Sequence, residues 1–193
     1  MRMLADELSR SGIDVVTTCE PGGTPLGRAL REAFLETKET VAPMAELLSF
    51  AADRAQHVAY LIKPALAEGK IVISDRYADA TFAYQGAGRG FDEVKVNQVI
   101  ELATDGLKPD LTLFFDITVE EALRRMADRD ENHTKKNRMD EETGEFYTRV
   151  RNAYLGIAGR EPERFRVIEA MGTMKEIHAH VISILSETLK IDV

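Results

Sequence analysis

Cysteine is nearly absent: the 193 residues hold one, Cys19, which has no partner for an internal disulfide and sits in no redox motif, so a reducing cytosol is the expected setting. Metal-ligand spacing is missing too. Of His57, His133, His178 and His180, the last two would point to different sides of a helix, and no protein-bound zinc site is expected. No apolar run approaches the length of a membrane span, and Asp6 and Glu7 stand where a signal peptide needs its apolar core, so neither membrane insertion nor secretion is expected. Positive charge is in deficit, 25 Lys and Arg against 33 Asp and Glu for a net charge of -8, which argues against a protein that coats a nucleic-acid backbone. A small anion can still bind where a few arginines converge.

What is present is the composition of an ordered chain, 44% hydrophobic and 30% charged with no low-complexity tract, at a length that suits a single domain over 1–193. Met3, Leu4 and Leu8 recur at helical spacing before Gly12, and Ile13 to Thr18 then reads as a β-branched strand ending at the turn Glu20-Pro21-Gly22-Gly23. From Pro43 to Ala67 the pattern is helical, with a break or restart expected at Pro64. Lys70 to Ser74, Leu111 to Asp116 and Phe165 to Glu169 are three further short strands, and Asp92 caps a helix that runs to Gly106. Thr118 with Glu121, and Thr173 with Glu176, have the spacing of capping boxes. Strands alternating with helices predict an α/β fold with a parallel sheet, whose sites lie beyond the strands' carboxyl ends. Asp128 to Gly144 is charged and weakly apolar, the pattern of a mobile insertion.

Three segments carry candidate chemistry. Asp75-Arg76 follows a strand, where a phosphate or hydrated metal could sit; alone, such a pair is more often a structural ion pair. Phe50 and Arg54 lie four apart on one helix face, so an aromatic plane and a guanidinium can share one ligand, the alternative being a core Phe beside a surface Arg. Ala83 to Gly90 packs three glycines around Arg89, leaving backbone amides open to a ligand or forming an ordinary turn.

In wording and order these segments resemble the thymidylate kinase family. The matching pieces are Glu20 to Gly27, Phe50 to His57, Asp75-Arg76-Tyr77, Ala83 to Gly90 and Pro109 to Asp116, with Asn137 to Glu142, Phe146, Val150-Arg151 and Tyr154 resembling the family's lid and following helix. The resemblance implies a three-layer fold of the P-loop nucleoside-monophosphate-kinase type and the phosphorylation of dTMP to dTDP by ATP. It implies that Phe50 stacks on thymine, that Arg54 and Arg76 hold the dTMP phosphate, and that Thr81 and Gln85 contact the base. Glu20 and Tyr84 complete the dTMP group. Asp75, Arg76 and Arg138 form the implied catalytic set, Asp75 placing Mg²⁺ directly or through its water shell. Arg125, Arg129 and Arg138 are the implied ATP-side residues, on a lid at about 128–144. A homodimer is the family's common state.

The chain also departs from the family pattern. No G-x-x-x-x-G-K-[ST] stretch, the loop that cradles ATP phosphates, occurs in the 193 residues. Because Met3 to Ser11 matches the helix that follows that loop, the expectation is that the missing strand and loop lie upstream of Met1. That strand would sit centrally, between those at 70–75 and 111–117, leaving two inner edges without partners and a chain of marginal stability. Cys19 stands where the family commonly has arginine, and Ala80 where it often has serine. A catalytically impaired nucleotide-binding remnant that keeps the dTMP pocket is therefore the alternative function.

Overall fold

The computed structural model describes residues 1–131 and 138–190. Leu4 and Leu8, one turn apart, are the buried stripe of helix α1 (Arg2–Arg10), and the chain then enters strand β1 (Val15–Cys19). Thr24 accepts from the Gly27 amide to cap α2 (Pro25–Leu35), and Pro43 starts α3 (Pro43–His57) at the position where its missing N–H costs nothing. The remaining elements are α4 (Lys63–Ala67), β2 (Ile71–Asp75), α5 (Ala78–Thr81), α6 (Glu93–Thr104), β3 (Thr112–Asp116), α7 (Val119–Glu131), α8 (Gly144–Arg160), β4 (Phe165–Glu169) and α9 (Met174–Leu189). All four expected strands are present, shifted by a residue or two at their ends.

The strands form two parallel pairs: β1 with β2, in register from Val15↔Ile71 to Cys19↔Asp75, and β3 with β4, from Thr112↔Phe165 to Asp116↔Glu169. Among the described residues β2 and β3 share no ladder, so the pairing has the two inner edges expected at 70–75 and 111–117. The first four residues of β2, Ile71 to Ser74, are only half-buried, unlike a strand covered on both faces and paired on both edges. Both pairs nonetheless feed one core. Val15, Ile73, Leu113 and Ile168 pack with Leu4 and Leu8 of α1 and with Val181, Ile184 and Leu185 of α9. Phe114 and Phe165 stack against Tyr154 of α8. Thr18 alternates with Val15 across β1 and meets His57, which puts α3 on the face opposite α1. Helices therefore cover the strands on both sides, the three-layer arrangement. A bidentate pair between Asp79, after β2, and Arg164, before β4, ties the two strand pairs together at 2.9 Å for each bond.

Two local expectations are sharpened. Pro64 does not break the chain's helical run but marks its restart: a π-helical turn at Val58–Ile62 joins α3 to α4, and Pro64 stands in the first turn of α4, where its missing N–H is tolerated. The run from Ala83 to Gly90 is not an open cradle of amides either. Phe82–Gly88 is a second π-helical segment continuing α5, and the amides of Arg89 and Gly90 bond back to Tyr84 and Gly86. Gly88 is there for packing, since a Cβ would lie 2.6 Å from the Phe146 ring of α8.

Candidate active site

Along α3 the residues Glu46, Phe50, Asp53, Arg54 and His57 recur at helical spacing on one side, and four of the five are polar and buried. Their partners come from β1, the loop after it, and α5 with its π-helical extension. Arg54 is 2% exposed. Its Nε donates to Glu20 Oε2 and its Nη1 to Thr81 Oγ1, each at 2.8 Å, while its guanidinium lies 5.4 Å from the Tyr77 ring centre. Glu20 Oε1 accepts from His57 Nδ1 at 2.8 Å, and His57 Nε2 meets Thr18 Oγ1 at 2.7 Å. Phe50, one turn before Arg54, is half-buried and braced edge-on by Phe34, ring centres 4.9 Å apart.

A second cluster surrounds Glu46. Gln85 Nε2 donates to it at 2.9 Å, Arg89 grips both its oxygens at 3.1 and 3.0 Å, and Arg138, in the short 3₁₀ turn Arg138–Glu141, reaches Oε2 at 2.5 Å. Burial would raise the carboxyl pKa, but the hydrogen bonds from Arg89, Gln85 and Arg138 outweigh it and hold Glu46 below the ordinary range. Asp53 shows the opposite balance. It is fully buried, Oδ1 accepts from the Gly22 amide at 3.1 Å, and Oδ2 has no hydrogen-bond partner among the described residues. Desolvation pushes its pKa up, Gly22 pulls it down, and the nearby Glu20 charge pushes it up again. A Cβ on Gly27 would lie 2.1 Å from Asp53 Oδ1, so this carboxyl seats the start of α2 directly against α3.

Asp75 and Arg76 do not pair with each other among the described residues. Asp75 is exposed at the end of β2, its backbone carbonyl accepting from the Glu20 amide at 2.9 Å. Arg76 has φ 70°, a left-handed conformation that costs an arginine about 1 kcal/mol or more and persists only where its surroundings hold it. Its guanidinium stacks 4.7 Å from the centre of the Tyr84 ring, with Nη2 at 3.4 Å from the Tyr84 hydroxyl.

The structure thus gathers Glu20, Phe50, Arg54, Thr81, Gln85 and Arg138 along one side of α3, and Asp75, Arg76 and Tyr84 at the end of β2 and just beyond it. Arg125 lies elsewhere, on α7, paired with Glu121 at 2.6 Å and donating to the Ala170 carbonyl at 3.3 Å. The side chain of Arg129 falls outside the described residues. Three participants on α3 had been given no role in the sequence, Glu46, Asp53 and His57, and Arg89 had been noted only as the arginine of the glycine-rich run. The signal for the three was the stripe of charged residues repeating at helical period on a face that also carries Leu47 and Phe50.

Comparison with known proteins identifies the family. The family model described as thymidylate kinase matches residues 1–181. The thymidylate kinase of Chromohalobacter salexigens is 45% identical over 188 residues, covering 96% of this chain and 87% of that protein. That of Desulfosudis oleivorans is 46% identical over 186 residues, covering 94% and 87%. The crystal structure of thymidylate kinase from Ehrlichia chaffeensis superimposes with a TM-score of 0.77 at 34% identity, covering 96% of this chain and 89% of that one.

Proposed function

The chain belongs to the thymidylate kinase family, and we propose that it transfers the γ-phosphoryl group of ATP to dTMP, giving dTDP and ADP. The observation that carries this reading is Arg54, a buried cation pinned by Glu20 and Thr81 one turn from the half-buried Phe50. In the reading, Phe50 stacks on the thymine ring and Arg54 meets the 5′-phosphate, while Arg76, held over Tyr84, supplies a second cation. Thr81, Tyr84 and Gln85 line the base and sugar, and Glu20 takes part through Arg54. Phosphoryl transfer asks the protein for alignment and positive charge and little covalent work, which suits a set of oriented arginines.

Magnesium is part of the proposal. Among the described residues no three His, Cys, Asp or Glu side chains cluster to hold a metal, but Asp75 is an exposed carboxylate at a strand end. That donor set fits Mg²⁺, which keeps most of its waters and binds through one or two carboxylates plus substrate phosphates. When bound it would offset charge on the phosphate oxygens. On the ATP side the proposed cations are Arg138, Arg125 and Arg129, in a single domain with a lid at about 128–144. No G-x-x-x-x-G-K-[ST] stretch occurs in these residues to add to them. No helix among the described residues is long and apolar enough to cross a membrane, and we place the protein in the cytosol, as a homodimer.

The test is ADP formation by the full chain with ATP and Mg²⁺, with and without dTMP, beside calorimetric titration of dTMP. Dependence on dTMP is expected, and Arg54→Ala should weaken dTMP binding by about 10- to 100-fold, as for a lost charged hydrogen bond. Binding of dTMP with no ADP formed overturns the kinase reading. Indifference of dTMP binding to Arg54→Ala overturns the site.

A further inference from the structure

Among the buried titratable groups, His57 is one that the reading above leaves without a task. It has no exposure, and both ring nitrogens are engaged. Ionised Glu20 can only accept, so Nδ1 carries the proton of that bond; in the neutral ring Nε2 is then an acceptor and takes the Thr18 hydroxyl proton. A continuous line of side chains results: Thr18 to His57 at 2.7 Å, His57 to Glu20 at 2.8 Å, Glu20 to Arg54 at 2.8 Å, and Arg54 to Thr81 at 2.8 Å. None of the five is more than 8% exposed. The loop makes room for the contact, because a Cβ on Gly23 would lie 2.5 Å from Thr18 Oγ1 and 2.6 Å from His57 Nε2.

We propose that His57 is a positioning residue for dTMP binding: by occupying one oxygen of Glu20 it fixes that carboxylate, which in turn fixes the Arg54 guanidinium in the orientation that meets the phosphate. The inference rests on Arg54 being a phosphate ligand, as proposed above. Arginine is a long side chain with many rotamers, and one held in place before the ligand arrives loses little freedom on binding. The hydrogen bonds to Glu20 and Thr81 use Nε and Nη1 and leave Nη2 without a protein acceptor among the described residues. Without His57, Oε1 of Glu20 is a buried acceptor lacking a donor. The carboxylate can then turn to take both of its bonds from Arg54, drawing Nη2 away from the ligand.

The two nitrogens of His57 can be separated by substitution. His57→Asn keeps an N–H near the Nδ1 position, so it retains the bond to Glu20 and loses the one to Thr18; His57→Gln places its amide near Nε2 and does the reverse. Calorimetric titration of dTMP should show affinity close to the parent for His57→Asn and about tenfold weaker for His57→Gln. The KM for ATP should be unchanged in both. Where the chain turns over, the change should appear in the KM for dTMP more than in kcat, as for an interaction made equally in ground and transition states. In an Arg54→Ala background His57→Gln should cause no further loss. A merely structural His57 predicts equal weakening by Asn and Gln, or loss that persists without Arg54, and either result overturns the proposal. Should His57→Gln not fold, Thr18→Val keeps the shape and removes the bond that His57→Asn also loses. It should leave dTMP affinity close to the parent, and a tenfold loss would overturn the proposal, because His57 would then act through Thr18 and not through Glu20. If Arg54→Ala alone leaves dTMP binding intact, the site assignment fails, and that result is read independently of His57.

Discussion

Glu46 and Asp53 stand seven residues apart on one helix, both without exposure, and their surroundings move their pKa values in opposite directions. Glu46 is held below its ordinary value by arginine and glutamine donors, so the folded state binds fewer protons than the unfolded one. Its stabilisation is present above the ordinary glutamate value of about 4.3 and is lost as pH falls through the lower folded value. Asp53, raised by desolvation, binds its proton more tightly when folded. Its contribution favours folding at low pH and declines as pH rises from about 3.9 through the raised value. Thermal melts between about pH 3 and 7 should therefore show a shallower acid loss of stability for Glu46→Gln than for the parent. Asp53→Asn should show a shallower decline on the alkaline side of its window. Glu46→Gln should also cost about 3 kcal/mol at neutral pH, because it takes the buried anion from Arg138 and leaves Arg89 with Glu142 alone, at 2.6 Å.

At the level of single elements, the two capping boxes foreseen at Thr118 and Thr173 differ in the structure. Thr173 and Glu176 satisfy each other's amides reciprocally at the start of α9. Thr118 accepts from the Glu121 amide at 3.2 Å, but the Glu121 carboxylate is drawn away by Arg124 and Arg125. Thr173→Ala should accordingly cost about 1 kcal/mol in urea denaturation, and Thr118→Ala distinctly less. An equal cost at both sites would show that the reciprocal half of the box adds nothing. Strand positions and cap residues were legible because they depend on neighbours within a few places in the chain. Gly90 stands in a turn, at φ 76°, but the loop reading failed for Gly88, which answers to Phe146, 58 positions away in the chain, and must offer it a helix surface without a side chain.

On the scale of the whole molecule, two parallel strand pairs lean on one core through Val15, Ile73, Leu113 and Ile168, with Asp79 and Arg164 bridging them. Among the described residues β2 and β3 each have an edge that joins no ladder, and a parallel sheet gains its stability by burying both faces and both edges. Hydrogen exchange should therefore divide these two strands. Amides in the β1–β2 and β3–β4 ladders should be protected, and alternate amides facing the inner edges should exchange far faster. Global stability of the 193-residue chain should sit at the low end of the usual range of about 5–15 kcal/mol. Uniform protection across β2 and β3, or a single cooperative melt at ordinary domain stability, would contradict this.

The sequence by itself determined the four strands, the helix that carries Phe50 and Arg54, the capped starts of α6 and α9, and the resemblance that the comparisons turned into family membership. All of these rest on local periodicity, on caps, or on motifs contiguous in the chain. Only the tertiary structure decided that both oxygens of Glu20 face protein donors, that His57 and Thr18 extend that contact, and that Arg138 reaches across 92 positions to Glu46. Those pairings depend on how crossovers bring α3 over β1 and under the residues after α7, and residue spacing along the chain carries no record of that distance in space.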